Sequence, residues 1–477
     1  MRLLECRSSG GSLPRRLWKG SAEPLTSLEP RDAIPGQGRV LLRAAAAIDA
    51  SQAIAPAAIL VEDARIVAVD APAAIGAPRV DQIIELPTEL VCPAMVNAHA
   101  HLDLTSLGPM PCEAGFDAWL EEVRTRRPTE TAAIADAVRA GIDASLAGGV
   151  VAVGDISGDR GLVAASTLAE SDLAGTAFVE FFGIGGRVEA TVSAIRRFGR
   201  EASAVRESPG FRLGIQPHAP YSCGPAVYAA AAETGRPVST HLAETPEEAI
   251  FTTTGTGPFL ELLQRIGGIT DDAGAVAVSG RHPIDQLLET SPAARWLVAH
   301  LNYPAMPAED EDVRRRRFEA LARAGFTVAF CPRASRFLGH PRPGRNGHPW
   351  RSLLEAGVEV ALGTDGMPCL DTPDRLGTLD EVRFLRDGAR DLDPTVLLRM
   401  ATTAGAIGLG LDPAAFTLEP GPVAGLLAIA TDPAEPIEGL FTGRSTPRWL
   451  LGPDRGIAAG GPASDRVPSA SSDIISP

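Results

Sequence analysis

Eight apolar, β-branched stretches of strand length recur along the chain, each followed by an Ala/Leu/Glu/Arg-rich helical run, and this alternation restricts the fold more than any other feature. They are Val91–Leu102, Gly149–Ile156, Gly175–Phe182, Phe211–His218, Pro237–Glu244, Trp296–Tyr303, Phe326–Arg333 and Val358–Asp365. Between them lie helical patterns such as Thr131–Leu146, Val313–Ala324 and Pro349–Ala356. Continuous apolar strands alternating with helices specify a parallel sheet buried on both faces. Eight such units fit an α/β fold of the (β/α)8 TIM-barrel type better than an open sheet.

The flanks read differently. Residues 1–38 are rich in Gly, Ser, Pro and Arg without apolar period, as are 455–477, so a flexible leader and tail are expected. From Val40 the pattern is β-like, and 58–69 reads as two short strands broken at Glu62-Asp63, a hairpin. Gly421–Ala430 is strand-like again and most simply pairs with these early segments. The expected organisation is therefore a small composite β-sandwich from 39–92 and 411–454, flanking a barrel over 93–410.

Composition removes several function classes. The chain has 477 residues, 45% of them hydrophobic, ample for a large core. No stretch reaches the roughly 18 apolar residues of a membrane span. The first residues lack an apolar core of signal-peptide length, so a cytoplasmic location is expected. A net charge of −15 disfavours nucleic acid and anionic membrane as partners. A small-molecule substrate is expected, with homo-oligomerisation open. Six cysteines without a Cys-x-x-Cys pair argue against a disulfide framework or a cysteine zinc knuckle. The only lysine is Lys19, so no lysine chemistry is available deep in the fold.

In barrels of this kind the reacting groups sit at the carboxyl ends of the strands. Segment one ends Asn97-Ala-His99-Ala-His101, and residues i and i+2 of a strand share a side, so the two imidazoles converge. Segment five ends in His241, with Glu244 opening the next loop. Segment six carries His300, segment four His218, and segment eight ends Gly363-Thr-Asp365-Gly366. Five of the eight histidines thus fall at four strand ends and Asp365 at a fifth, which points to a metal site. Three imidazoles and a carboxylate, with a position left for water, suit Zn²⁺, with Fe²⁺ as the other candidate.

His-Ala-His-Leu-Asp (99–103), His-Ala-Pro-Tyr-Ser (218–222), His-Leu-Ala-Glu (241–244), His300 and Gly-Thr-Asp-Gly (363–366) together resemble the amidohydrolase superfamily. They are most similar to its cytosine, guanine and methylthioadenosine/S-adenosylhomocysteine deaminases and to s-triazine hydrolases. The resemblance spans about residues 40–450 and implies a barrel with a composite β-sandwich. It implies His99, His101, His241 and Asp365 as metal ligands, Glu244 as proton shuttle, His300 as the residue orienting the attacking water, and His218 as a substrate contact. Branches with two metals bridge them through a carboxylated lysine at the end of strand four, which this chain lacks, so one metal is implied.

The implied reaction is hydrolytic deamination of an amino-substituted N-heterocycle, such as aminofutalosine or methylthioadenosine. Phe330-Cys-Pro-Arg-Ala-Ser-Arg, with Gly-His-Pro after it, resembles the aminofutalosine-deaminase group, though Ala334-Ser335 departs from its pattern. Arg333 is a candidate for holding a carboxylate or sugar hydroxyl, and Glu180, ending segment three, a candidate substrate residue. Arg336 is a second such arginine. The 245–295 connection carries helical pattern and is expected to cover the pocket, while His340 and His348 read as loop residues. Arg314–Arg317 read as a solvated helix face. An amidase or chlorohydrolase using the same site is the alternative, and a non-catalytic barrel the remote one.

Overall fold

The computed structural model describes residues 34, 37–112, 116–158, 162–202, 205–269, 278–291, 294–341 and 347–453. The expected leader over 1–38 (except residues 34, 37 and 38) and the tail over 455–477 lie outside the described residues. The N-terminal flank forms β1 (Arg39–Ile48), β2 (Ala53–Ile54), β3 (Ala57–Glu62), β4 (Arg65–Asp70) and β5 (Gln82–Pro93). β3 and β4 are the hairpin the sequence indicates, with Glu62 opposite Arg65. Its two linking residues, Asp63 and Ala64, are both left-handed (φ 48° and 60°), the turn geometry that matches the twist of paired strands.

β5 hands the chain directly to the barrel, whose strands are β6 (Met95–His101), β7 (Val150–Ser157), β8 (Ala174–Phe181), β9 (Phe211–Pro217), β10 (Val238–Leu242), β11 (Trp296–His300), β12 (Thr327–Phe330), β13 (Glu359–Leu362) and β14 (Asp365–Gly366). Their hydrogen-bonded order is β13-β12-β11-β10-β9-β8-β7-β6-β14, and neighbours run parallel. The last two are halves of a single eighth strand broken at Gly363-Thr364. The first half pairs with β12 and the second with β6, so the ring of strands closes. Closure needs a close crossing: a Cβ on Gly363 would lie 2.9 Å from the His99 carbonyl oxygen. Thr364 then donates its amide to that same oxygen at 3.1 Å.

β15 (Gly421–Pro422), β16 (Leu426–Ala430) and β17 (Arg448–Leu451) return to the first sheet, in the order β15-β4-β3-β1-β5-β16-β17 with β2 beside β1. Both ends of the described chain therefore build one sheet, around a core that includes Val40, Leu42, Ile59, Val61, Val91, Leu426 and Ala428. The larger core fills and surrounds the barrel.

Two readings need correction. Segment seven ends as a strand at Phe330, because Pro332 starts the helix Pro332–Phe337 and carries Arg333 away from the strand end. The helix Glu311–Arg323, capped by the Asp310 side chain, does not leave all four arginines in water. At 100° per residue four successive side chains encircle a helix, so one must face inward. Arg317 is that one, buried and bonded to Asp285 (2.7 Å) and Glu309 (2.6 Å).

Candidate metal centre and active site

β6 is buried throughout, and its alternation turns His99 and His101 toward one space at the carboxyl end of the barrel. His241 arrives on β10 and Asp365 on β14. The ring centroids of His99, His101 and His241 are 5.1–5.5 Å apart. Asp365 Oδ1 lies 3.6 Å from His99 Nε2 and 3.4 Å from His101 Nε2. Asp365 is left-handed (φ 60°), a backbone state that Asp adopts more readily than most residues. The thiol of Cys369 donates to its other oxygen at 3.6 Å.

The donor set fits a cation. His241 Nδ1 lies 2.9 Å from the His218 carbonyl, an acceptor that requires Nδ1 to carry the proton and leaves a lone pair on Nε2. That nitrogen faces His101 Nε2 at 3.4 Å. Neither nitrogen of His99, nor Nδ1 of His101, has a hydrogen-bond partner among the described residues, although all are buried. Burial holds His101 and His241 well below the usual histidine range, in the neutral form a metal requires. Burial opposes ionisation of Asp365, yet the adjoining His99, His101 and His300 hold its carboxyl below its usual value. Ligand atoms of His99, His101 and His241 lie within 4.8 Å of one another, and so do those of His99, His300 and Asp365.

Around this centre opens a cavity of about 230 Å³. Its inner wall carries Glu180, His218, Glu244 and His300 together with His101, His241 and Asp365, and its outer wall is apolar, with Trp119, Leu262, Leu263 and Ile266. His300 Nε2 is 3.8 Å from Glu244 Oε1. Burial, then the charges of Asp365 and Glu248, push the Glu244 carboxyl well above its usual range. Burial lowers His300 to about 3 and His218 to about 3, so both are neutral. His218 is fixed by Ser222 (2.7 Å) and stacked on Phe182 at 4.6 Å.

Arg333 is not brought to the cavity. The helix that carries it turns its guanidinium onto Glu381 (2.6 Å) and Asp371 (3.1 Å), so it serves packing there. Arg336 instead lies over the Phe384 ring, 5.7 Å from its centroid. The helix Pro258–Arg265, within the 245–295 connection, does contribute Leu262 and Leu263 to the wall.

Two contributors went unread in the sequence, and a third, His348, read only as a loop residue. Arg127 enters the cavity wall and donates to Asp103 at 2.7 Å; only a buried acid near a strand end could have flagged it. Glu248 binds the turn carrying Glu244, and Thr245-x-x-Glu248 is a legible helix-start motif. His348 donates from Nε2 to the His300 carbonyl at 2.6 Å. No sequence pattern marks that contact.

Strand-end imidazoles and a carboxylate gathered at the mouth of a closed barrel form a site able to hold a divalent metal. The Amidohydrolase family matches residues 90–448, and the chain belongs to that family. It is 32% identical to the aminodeoxyfutalosine deaminase of Deinococcus radiodurans over 333 residues, covering 66% of this chain and 72% of the relative. It is 28% identical to the 5-methylthioadenosine/S-adenosylhomocysteine deaminase of Dictyoglomus thermophilum, covering 70% of this chain and 72% of that one. The solved aminofutalosine deaminase of Helicobacter pylori, in complex with methylthio-coformycin, superposes with TM-score 0.68 at 21% identity, over 87% of this chain and 99% of that one. A zinc-bound adenosine deaminase from Xanthomonas campestris superposes with TM-score 0.65 at 20% identity, over 88% and 94%. The chain is a hydrolase acting on carbon–nitrogen bonds. Among the described residues no helix is long and apolar enough to cross a membrane.

Proposed function

We propose that the protein deaminates an adenine-like N-heterocycle of the aminofutalosine or methylthioadenosine kind, using one zinc ion held by His99, His101, His241 and Asp365. The observation that carries this reading is the place of Glu244, whose carboxyl lines the same cavity as His101, His241 and Asp365 and lies 3.8 Å from His300 Nε2. A divalent cation held by these four residues would supply Lewis acidity, making water easier to ionise near neutral pH.

The protein's own groups handle the protons. Asp365, ionised, accepts a proton from the attacking water. Glu244 delivers its proton to the ring nitrogen, relays the hydroxyl proton of the tetrahedral carbon to the departing amine, and regains its own proton from Asp365. His300 donates a hydrogen bond to the oxygen that adds to the ring carbon. His218 and Glu180 contact the ring, and the apolar outer wall receives the remainder of the substrate. The amino-substituted C=N carbon becomes a lactam, and water and substrate leave as product and ammonia. The reading takes the protein to work in the cytoplasm on a small molecule.

Ammonia release across adenosine, methylthioadenosine, aminofutalosine, guanine and cytosine tests it, with zinc per chain measured in parallel. Glu244→Gln should retain zinc and lose about 10²–10⁴-fold in kcat. Zinc-replete protein that releases ammonia from none of these amines refutes the deaminase reading.

A further inference from the structure

The turn after β10 places the backbone polar atoms of Ala243 and Glu244 inside the protein, and each of the four finds a partner. Ala243 is left-handed (φ 50°), so the turn needs outside support. The Ala243 amide donates to Glu248 Oε1 at 3.0 Å, and the Glu244 amide donates to Oε2 of the same carboxyl at 3.1 Å. The Ala243 carbonyl accepts from the Tyr303 amide at 2.9 Å. The Glu244 carbonyl accepts from Asn302 Nδ2 at 3.1 Å. Asn302 is in turn held by Ser335, whose hydroxyl donates to Oδ1 at 3.1 Å. Glu248 and Asn302 are both buried.

Helix capping does not account for this arrangement. Thr245 caps the helix Pro246–Thr254, and an acid three residues on ordinarily reaches back to the amide of the capping residue itself. Glu248 reaches past Thr245 to the two residues before it. The two amides bond different oxygens of one group, and a carboxyl offers two acceptor oxygens where an amide offers one. The Glu244 carboxyl lies 3.8 Å from His300 Nε2, beyond hydrogen-bond distance, so that contact does not anchor it.

We infer that Glu248 and Asn302 are positioning residues, clamping the Glu244 peptide by its N–H and its C=O and thereby aiming the Glu244 carboxyl at the substrate. The inference rests on the reading of Glu244 as proton shuttle. A displacement of about 1 Å at a reacting group can cost on the order of 10²-fold in rate.

The test is Glu248→Gln in the zinc-loaded full chain, assayed on whichever panel amine the parent protein deaminates. The new NH₂ group meets a backbone N–H, donor against donor. The expected result is unchanged zinc per chain, kcat lowered about 10- to 100-fold and KM moved by less than about twofold. Glu244→Gln/Glu248→Gln should be no slower than Glu244→Gln alone, because an aimed group already absent cannot be misaimed. Asn302→Asp keeps the Ser335 bond, replaces the donor by an acceptor, and should show the same kcat-centred loss; it serves if Glu248→Gln does not fold. Folded, zinc-loaded Glu248→Gln or Asn302→Asp with parental kcat overturns the clamp while Glu244→Gln remains inactive. A loss confined to KM, or matched by lost zinc, overturns it too. An active Glu244→Gln protein overturns the proton-shuttle reading instead, and the clamp with it.

Discussion

Arg127 donates from Nε to Asp103 Oδ2 over 2.7 Å, two residues beyond the second histidine of β6. Its Nη1 lies 3.7 Å from Glu180 Oε2, so one guanidinium serves two buried carboxyls. Removing one partner of a buried pair leaves an uncompensated charge, at about 3–5 kcal/mol. Arg127→Met is therefore expected to lower unfolding free energy by about that amount at pH 8, and Asp103→Asn in the same chain to recover part of it. Denaturant unfolding of the two single variants and the double variant measures the coupling directly.

The same cluster makes stability depend on pH. Burial, then Asp103, pushes the Asp155 carboxyl up to about 7, and burial pushes Glu180 to about 7 despite Arg127. Both folded values are raised, so the native state holds these protons more tightly than the unfolded chain does. The stabilisation is complete below the unfolded value, near 4, and is lost as pH rises through 7. For Asp155 the difference amounts to about 4 kcal/mol at most. The melting temperature should fall between pH 5 and pH 8, and Asp155→Asn should flatten that fall. An unchanged slope in Asp155→Asn would remove Asp155 as its source.

Two candidate triads share His99, one with His101 and His241 and one with His300 and Asp365, and they predict different losses. His241 directs its Nδ1 proton to the His218 carbonyl and turns the Nε2 lone pair toward His101, whereas His300 Nε2 faces Glu244. His241→Ala should therefore lose zinc, and His300→Ala should keep it and lose turnover. Chelation of the parent protein should lower its melting temperature, and added zinc at 100 times its dissociation constant should restore about 2.7 kcal/mol. Metal analysis of the two variants decides the ligand set.

The barrel was legible because its strands are continuous Val/Ile/Ala runs, a pattern that only a sheet covered on both faces tolerates. Strand ends were legible where a histidine or acid stood there, as at His101, His241 and Asp365. What local pattern could not give was contact across the barrel. Arg333 and Arg127 look alike in sequence, yet Glu381 claims the first and Asp103 holds the second in the cavity wall. The break in the eighth strand was equally hidden, since Val-Glu-Val-Ala-Leu-Gly-Thr-Asp reads as one strand. It splits because its second half must leave β12 and join β6.

The outer wall of the cavity is carried by a short helix with one aromatic anchor. Phe259, buried near the start of the helix Pro258–Arg265, stacks on Tyr221 with centroids 3.9 Å apart and planes 4° from parallel. Tyr221 belongs to the loop that follows β9 and its His218. That stack ties the wall residues Leu262 and Leu263 to the polar floor. Truncating a buried phenylalanine costs about 3–5 kcal/mol when its surroundings cannot collapse onto the space. Here the helix is peripheral to the barrel core, so the loss should appear as local loosening, with the zinc cluster intact. Phe259→Ala is expected to retain zinc, keep kcat within about twofold and raise KM several-fold, because the wall contacts substrate without touching the reacting carbon. Proteolysis should cut the variant first within the 245–295 connection. An unchanged KM would mean that the apolar wall does not contact the substrate at all.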